Sequence, residues 1–541
     1  MKILLVVPIP DYPHVNPSFL SNTDFPVGFA YIAAALKDAG HKVAGLNPNN
    51  DTRFDSASIL LKSTLLQALL DTNPQLIGLG GLSGDIHFIN DAISLIRAVR
   101  PHIQIVCGGG IVTNDAEYVF NLLRPDFCII GEGERAIVQL ADLLEKGDSS
   151  FSSVPNLGYW VNNVAIFNDP ESGIDINSYS FPDYEPFGIG KMLASHSLVA
   201  RYQYRYTRSH PVPMTLVAAR GCPFNCSFCV HNDGRRYRYR SIQNILEEID
   251  VMHQAYHFNI LIILDELFAV NKDRLQEFST AVLDGRQKRG WDFDWCFQTH
   301  ASANLDESTL RLAKRAGCFL FSYGIESASP VVLASMNKKT RPEQIEIAIK
   351  LAEHVHIGLG GNFIFGDPAE TPQTALESVD FYKKYCRYIH VSIGTVYPFP
   401  GSRLFEYCLN NGIIPDKLDY YNNINRINYN MTSLSHDEFR ILMDNILAET
   451  DQMRNIPMIE AIRAKQDSNA PEREIRENGG KTPWELSYEC PHCQTIIYNR
   501  ELLSNEEVFV NGTAFISACA SCHKRFIVSV PIETAWKFVI R

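Results

Sequence analysis

Arg220-Gly-Cys-Pro-Phe-Asn-Cys-Ser-Phe-Cys-Val230 carries three cysteines, Cys222, Cys226 and Cys229, in the spacing C-x3-C-x2-C, with no fourth cysteine nearby. Three thiolates on one short loop can each hold one iron of a [4Fe–4S] cube and leave the fourth iron without a protein ligand. Such an open iron can bind and reduce a small molecule, which a fully ligated electron carrier does not. The plainer reading is buried or zinc-bound cysteines. Structural zinc usually takes four protein ligands, and only His231 is at hand to complete a set. A strand over 215–219 leads into the loop, and a helix over 241–256, opened by Ser241 as N-cap, leads out of it. The loop therefore sits at the carboxyl end of a strand in a strand–loop–helix unit.

Downstream, apolar runs at 259–264, 293–298, 318–323, 357–365 and 389–396 alternate with helical patterns at 272–288, 306–315, 341–354 and 371–384. About six β/α units make a partial or full parallel barrel, whose chemistry belongs at the carboxyl ends of its strands. Those ends carry Asp265-Glu266, Gln298 and His300, Gly324-Ile-Glu-Ser327, and Gly361-Asn-Phe-Ile-Phe-Gly-Asp-Pro-Ala-Glu370. Glu326 and Glu370 also suit plain loop caps, and Gln298 and His300 suit a merely polar strand end.

Upstream, 2–8, 40–44, 75–79, 103–107 and 127–130 read as strands, and 28–39, 85–99, 114–123 and 133–146 as helices. This alternation predicts a doubly wound parallel sheet, with ligands outside the carboxyl ends of its strands. Those ends are glycine-rich: Gly78-Leu-Gly-Gly-Leu-Ser-Gly84, Gly108-Gly-Gly110 and Gly131-Glu-Gly-Glu134. Glycine lets a backbone approach a large flat ligand or an anion closely. No G-x-G-x-x-G opens a helix after the first strand, which argues against a dinucleotide.

The 541 residues are too many for one core and suggest several domains. A balance of 49 basic and 61 acidic residues, net −12, argues against a broad nucleic-acid surface. Arg201-Tyr-Gln-Tyr-Arg-Tyr-Thr-Arg208 and Arg235-Arg-Tyr-Arg-Tyr-Arg240 are local exceptions. The second suits either a solvated turn or the positioning of a cofactor or anionic substrate. No window reaches the ~18 apolar residues of a membrane span, and Met1–Pro8 is too short for a signal peptide. Seven of the 13 cysteines lie in metal-type spacings, which fits a reducing compartment, hence the cytoplasm.

Ser435-His-Asp-Glu438 is a capping box, from which an amphipathic helix is expected to about 465. A polar linker follows. Cys490-Pro-His-Cys493 and Cys519-Ala-Ser-Cys522 then form two knuckles flanked by β-rich segments, the pattern of a four-cysteine zinc ribbon, with a rubredoxin-like iron site as the alternative. The expected organisation is 1–150 α/β sheet domain, 151–212 connector, 213–402 barrel, 403–466 helical extension, 467–484 linker and 485–541 ribbon.

The cysteine loop and the strand-end residues over roughly 215–402 resemble the radical SAM family. Pro26-Val-Gly-Phe-Ala-Tyr-Ile-Ala-Ala34, Gly40-His-Lys-Val43, Gly108–Gly110 and Gly131–Glu134 are similar to the cobalamin (B12)-binding domain of its cobalamin-dependent members. The resemblance implies a [4Fe–4S] cluster on Cys222, Cys226 and Cys229, with Phe228 at the aromatic position of the loop. It implies S-adenosylmethionine (SAM) contacts from Asp265, Glu266, Gln298, His300, Glu326, Ile364 and Gly366. Cobalamin contacts are implied for Ser83, Gly84, Gly108, Gly109, Gly110, Gly131 and Glu132. The D-x-H-x-x-G motif that supplies a histidine to cobalt is missing from Pro10-Asp-Tyr-Pro-His14, and Asp85-Ile-His87 has Asn90 where its glycine would be. His87 thus reads as a polar loop or helix residue, and the implied cobalt has no histidine ligand.

The implied activity is reductive cleavage of SAM to a 5′-deoxyadenosyl radical, followed by cobalamin-dependent methylation of an unactivated carbon of a small-molecule intermediate. The electron donor would be a flavodoxin or ferredoxin. A non-methylating oxidoreductase of the magnesium-protoporphyrin ester cyclase type is the alternative. A tRNA methylthiotransferase is disfavoured, because the chain lacks the cysteine-bearing N-terminal domain and RNA-binding tail such enzymes need. The ribbon is not shared with this family.

Overall fold

β1 (Lys2–Val6) is apolar on both faces, with Ile3, Leu4, Leu5 and Val6 each at most 2% exposed, as a central parallel strand requires. The computed structural model describes residues 1–15, 25–51, 53–171, 174–194, 207–208, 211–231, 236–424, 426–466, 484–501 and 514–530. Of the expected linker at 467–484, all but Trp484, which opens a strand, lies outside these residues, as do Arg201–Tyr206 and Arg235 of the basic runs. Two compact units emerge: Met1–Val199 with Val217–Tyr256 and Tyr397–Tyr429, and Ala200–Leu216 with His257–Val396 and Asn430–Arg541.

In the first unit β1 is flanked in parallel by β2 (Lys42–Leu46) and β3 (Leu76–Gly80), and β4 (Gln104–Gly108) and β5 (Phe127–Ile129) extend the sheet. The order β2-β1-β3-β4-β5 is doubly wound, so the crevice for a ligand opens at the carboxyl ends of β1 and β3. Helices Val27–Asp38, Ile86–Val99, Ala116–Leu123 and Glu134–Lys146 stand close to the expected ones. Two elements were not expected. Helix Ala57–Thr72 buries Leu60, Leu61, Leu65 and Leu69. An antiparallel hairpin, β6 (Leu157–Val161) and β7 (Val164–Phe167), widens the sheet beyond β5 through Asn162 and Asn163, both at positive φ.

The second unit holds six parallel strands: β8 (Pro213–Leu216), β11 (Ile260–Ile263), β12 (Asp294–Thr299), β13 (Cys318–Glu326), β14 (Gly358–Phe365) and β15 (His390–Thr395). They stand in the order β15-β14-β13-β12-β11-β8. Between β8 and β11 the chain passes through the first unit, where β9 (Ala219–Arg220) and β10 (Arg238–Tyr239) pair antiparallel. Gln298, Ser322, Gly360 and His390 are in register across β12–β15, so they form one row on one face of the sheet.

The expected helix to 465 holds to Thr450, with a further short turn at Gln452–Asn455, and fails from there on. Ser435 and Glu438 close its capping box. Pro457 disfavours helix at Ile456, and the next residues are recruited as strands. β16 (Met458–Glu460) and β17 (Arg463–Gln466) each join a three-stranded sheet: β17 with β18 (Trp484–Glu489) and β19 (Ile496–Glu501), and β16 with β20 (Ala514–Ala518) and β21 (Arg525–Ser529). Trp484, Leu486, Tyr488, Phe526 and Val528 form their core. Among the described residues no helix is long and apolar enough to cross a membrane.

Candidate active site

Two glycine loops meet at the carboxyl ends of β3 and β4. A Cβ on Gly109, which has φ +82°, would lie 2.8 Å from the Gly81 carbonyl oxygen, and one on Gly81 would lie 2.3 Å from Asp85 Oδ2. A side chain at either position would push the loops apart. A Cβ on Gly108 would meet nothing within 4 Å, so backbone is bared there. Ser83 is buried, and Ser83–Asp85 form a 3-10 turn in which Asp85 accepts the Leu82 N–H at 2.7 Å. Burial lifts the Asp85 carboxyl to about 6 against that bond. His87 lies on the following helix with Nε2 3.1 Å from the Asn422 carbonyl, in line with its reading as a polar helix residue.

The loop after β5 is held at Gly131, whose N–H donates to Thr113 Oγ1, and by Asn156, whose Nδ2 bonds the Ile130 and Glu132 carbonyls. Glu132 on this loop and Glu134, at the start of the helix that follows, reach a basic cluster. Glu132 accepts from the Tyr179 hydroxyl at 2.8 Å, pairs with Arg238, and lies 3.7 Å from Arg220. Glu134 pairs with Arg220 at 2.5 Å. The Arg220 guanidinium lies over the rings of Tyr31 and Tyr179, at 5.2 and 5.0 Å. Burial pushes the Glu132 carboxyl up, but Arg238, Arg220 and Tyr179 outweigh it and hold it below the usual range. Next to this cluster Arg240 pairs with the fully buried Glu248 and donates to the Val217 carbonyl. The basic run 235–240 is therefore, over Arg238 and Arg240, internal wiring.

The cysteine loop starts two residues after Ala219 with Gly221 at φ +78°. Cys222 and Cys226 are buried and Cys229 is half-buried, as is Phe228. The loop is stapled from far along the chain. The Leu404 N–H donates to the Ser227 carbonyl at 2.8 Å, and Arg403 donates to the Asn225 carbonyl at 2.5 Å. Ser402 caps the helix that presents them by accepting the Phe405 N–H at 3.0 Å. Gly401-Ser-Arg-Leu-Phe405 carries a cap that is visible in the sequence, but nothing local in it signals the contact of Arg403 and Leu404 with the cysteine loop.

The second unit holds the remaining candidates. Asp265 is buried and Glu266 half-buried after β11; Gln298 is exposed on β12. The buried His300 ring bonds Thr340 Oγ1 at 3.0 Å, and burial with the nearby Lys338 charge takes its pKa down to about 4. Glu326, at φ +62°, is buried with its carboxylate on Lys338 (3.1 Å) and Asn362 Nδ2 (2.7 Å). Ile364 is half-buried, and Gly366, at φ +100°, leaves a Cβ only 2.9 Å from the Phe439 ring. Glu370 accepts from Thr374 Oγ1 at 2.6 Å, and burial raises its carboxyl to about 7. A cavity of about 770 Å³ lies against the β12–β15 row, with Ser322, His390, Ser392, Thr450, Asp451 and Arg525 as its polar lining.

Cys490, Cys493, Cys519 and Cys522 bring their sulfurs within 4.8 Å of one another, with Cys490–Cys522 at 3.7 Å and Cys493–Cys519 at 3.6 Å. The His492 and Ser521 N–H groups point at the Cys490 and Cys519 sulfurs at 3.4 Å each. The hydrogen bond from Cys522, with backbone N–H donors, pulls the Cys519 thiol below its ordinary value.

Residues 22–141 match the family model of the B12 binding domain, and residues 216–382 that of the radical SAM superfamily. An uncharacterised methyltransferase of Pyrococcus horikoshii is 28% identical over 419 residues, 76% of this chain and 84% of the relative. The anaerobic magnesium-protoporphyrin IX monomethyl ester cyclase of Rubrivivax gelatinosus is 25% identical over 70% of this chain and 65% of its own length. The radical SAM methyltransferase TsrM of Kitasatospora setae, solved with tryptophan and a SAM analogue, shares the fold at a TM-score of 0.60 and 18% identity, over 76% of this chain and 77% of that one.

Proposed function

We propose, from the premise that this chain belongs to the cobalamin-binding radical SAM proteins, that it is a cobalamin-dependent radical SAM methyltransferase acting on a small molecule. The observation that carries the reading is the pairing of a B12-binding match with a C-x3-C-x2-C radical SAM match in one chain. The first of the two relatives described, a methyltransferase, matches over most of both chains, which favours methylation over cyclisation.

The residues fit the groups this requires. Cys222, Cys226 and Cys229 offer three thiolates and no fourth, so one iron would remain open to SAM. Gly108, at the carboxyl end of β4, offers bare backbone that would suit cobalamin, with Ser83, Gly84, Gly109 and Gly110 on the loops after β3 and β4 and Gly131 on the loop after β5. When bound, the cluster, SAM and cobalamin supply the electron, the radical and the methyl group.

The chain's own part is to bind, orient and exclude. Arg403 and Leu404 fix the carbonyls of the cysteine loop, which shapes the cradle before any metal arrives. Glu326, held by Lys338 and Asn362, is fixed in one orientation for a SAM contact. His300 stays neutral at pH 7, so it would serve SAM as a hydrogen-bonding group and not as a charge. The cavity beside Ser322 and His390 suits the substrate, since it lies in the same row as Gln298.

We extend the reading to zinc at Cys490, Cys493, Cys519 and Cys522, supported by four sulfurs gathered at tetrahedral-site spacing. A flavodoxin or ferredoxin donor and a cytoplasmic setting, supported by the reduced cysteine usage, belong to the same proposal. The test is anaerobic purification with cluster reconstitution, followed by iron, zinc and cobalamin analysis and incubation with methyl-labelled SAM. Cobalamin uptake with label appearing in product supports the reading. 5′-Deoxyadenosine release with cobalamin bound but no methyl transfer would move it to the cyclase-type alternative.

A further inference from the structure

The cysteine loop leaves β9 at Arg220 and returns at Arg238 on β10, and these two residues face each other across the ladder. Directly opposed like charges on an antiparallel pair repel. Here they are compensated by Glu132 on the loop after β5 and by Glu134 at the start of the helix that follows, which place one carboxylate against each guanidinium and a further contact between them. The side chains of Arg220, Glu132 and Glu134 are at most 10% exposed, and Arg238 is 18% exposed. Two tyrosine rings close over Arg220. A buried ion-pair network of this kind gains little over apolar packing, but it fixes geometry, because removing one member leaves a charge without compensation.

We propose that Arg220, with Arg238, is a positioning residue that pins both feet of the cysteine loop to the Glu132–Glu134 segment, so that the separation between cluster and corrin is set by an ionic lock in the protein. The inference rests on the cofactor reading above. It assigns Arg220 no contact with substrate or cofactor. Arginine suits the role where lysine does not, since its planar fork engages two carboxylates at once and stacks on both rings. Glu132 and Glu134 thereby work through their side chains on the loop, whatever their backbone contributes to the cofactor.

The experiment uses the full-length holoenzyme in wild-type, Arg220→Met, Arg220→Lys and Arg220→Glu/Glu134→Arg forms. Pulsed electron paramagnetic resonance on protein holding the reduced cluster and cob(II)alamin reads the distance between the two spins. Wild type should give one narrow distribution. Arg220→Met should broaden it at least twofold with iron and cobalamin content retained, Arg220→Lys should fall between, and the charge swap should narrow it again. Amide exchange over 221–231 in cofactor-free protein is the second readout, expected to accelerate about tenfold in Arg220→Met and to recover in the swap. An unchanged distribution and unchanged exchange in Arg220→Met overturn the lock alone. Wild-type protein that takes up cluster but no cobalamin overturns the functional reading and the spacing role together.

Discussion

The two cysteine sites use the same donor atom in opposite ways. At the C-terminal end four sulfurs converge within 4.8 Å, supported by N–H groups of their own knuckles, and the surrounding sheets have a core of few large residues. At Cys222, Cys226 and Cys229 the support is remote: Arg403 and Leu404 hold the loop's carbonyls, and Glu132 and Glu134 hold its base. A closed four-sulfur set can organise its own small domain around a metal. An open three-sulfur set would have to be organised by others, because the cluster it would hold keeps a position for chemistry.

Four measurements would break or sharpen this contrast. Cys226→Ala should abolish 5′-deoxyadenosine formation, a loss of more than about a thousandfold, while zinc content is kept; retained cleavage would remove the open-cluster assignment. Cys519→Ser should release the C-terminal metal and unfold the ribbon, seen as new protease cleavage within 484–530, with iron content unchanged. Loss of iron in that variant would mean the two sites are not independent.

The third concerns pH. His300 and His390 titrate near 4 and 3 in the folded protein, His300 through burial and Lys338, His390 through burial, Arg525 and His523. Their folded pKa values lie below the unfolded ~6.5, so the unfolded chain binds protons first and the stability they provide falls as pH drops from 6.5 towards 4. By pH 5 each should destabilise the second unit by on the order of 1–2 kcal/mol, and His390→Asn should flatten the denaturant-midpoint profile. The smallest effect belongs to Arg403→Ala. It removes one hydrogen bond to a loop carbonyl, worth about 1 kcal/mol, and cluster loss to a chelator should quicken roughly fivefold.

Much of the architecture was legible from periodicity. β1, β3 and β4 announce themselves by continuous apolar runs, and the glycines after them mark the loops where bare backbone is now found. Helix Ala57–Thr72 was passed over although Leu61, Leu65 and Leu69 repeat at helical spacing, and the Asn162-Asn163 turn was a readable hairpin signal left inside a connector. The failure of the expected helix beyond Asn455 has a different cause. The local pattern was permissive, and strand pairing with segments up to 70 residues away decided the outcome. The candidate site divides the same way. Cys222, Cys226 and Cys229 could be read from spacing alone, whereas the bond from Arg220 to Glu134 spans 86 residues and has no local signature.

The interleaving of the two units has a consequence for synthesis. The chain enters the second unit at Ala200, returns at Val217, leaves at His257, returns at Tyr397 and leaves for good at Asn430. Domains generally form as they emerge from the ribosome, N-terminal first. The sheet of β1–β5 can assemble early, but the clasp on the cysteine loop cannot be made until Arg403 and Leu404 have been translated, about 180 residues after Cys222. The nascent protein thus carries three thiols on an unfastened loop through a long stretch of its translation.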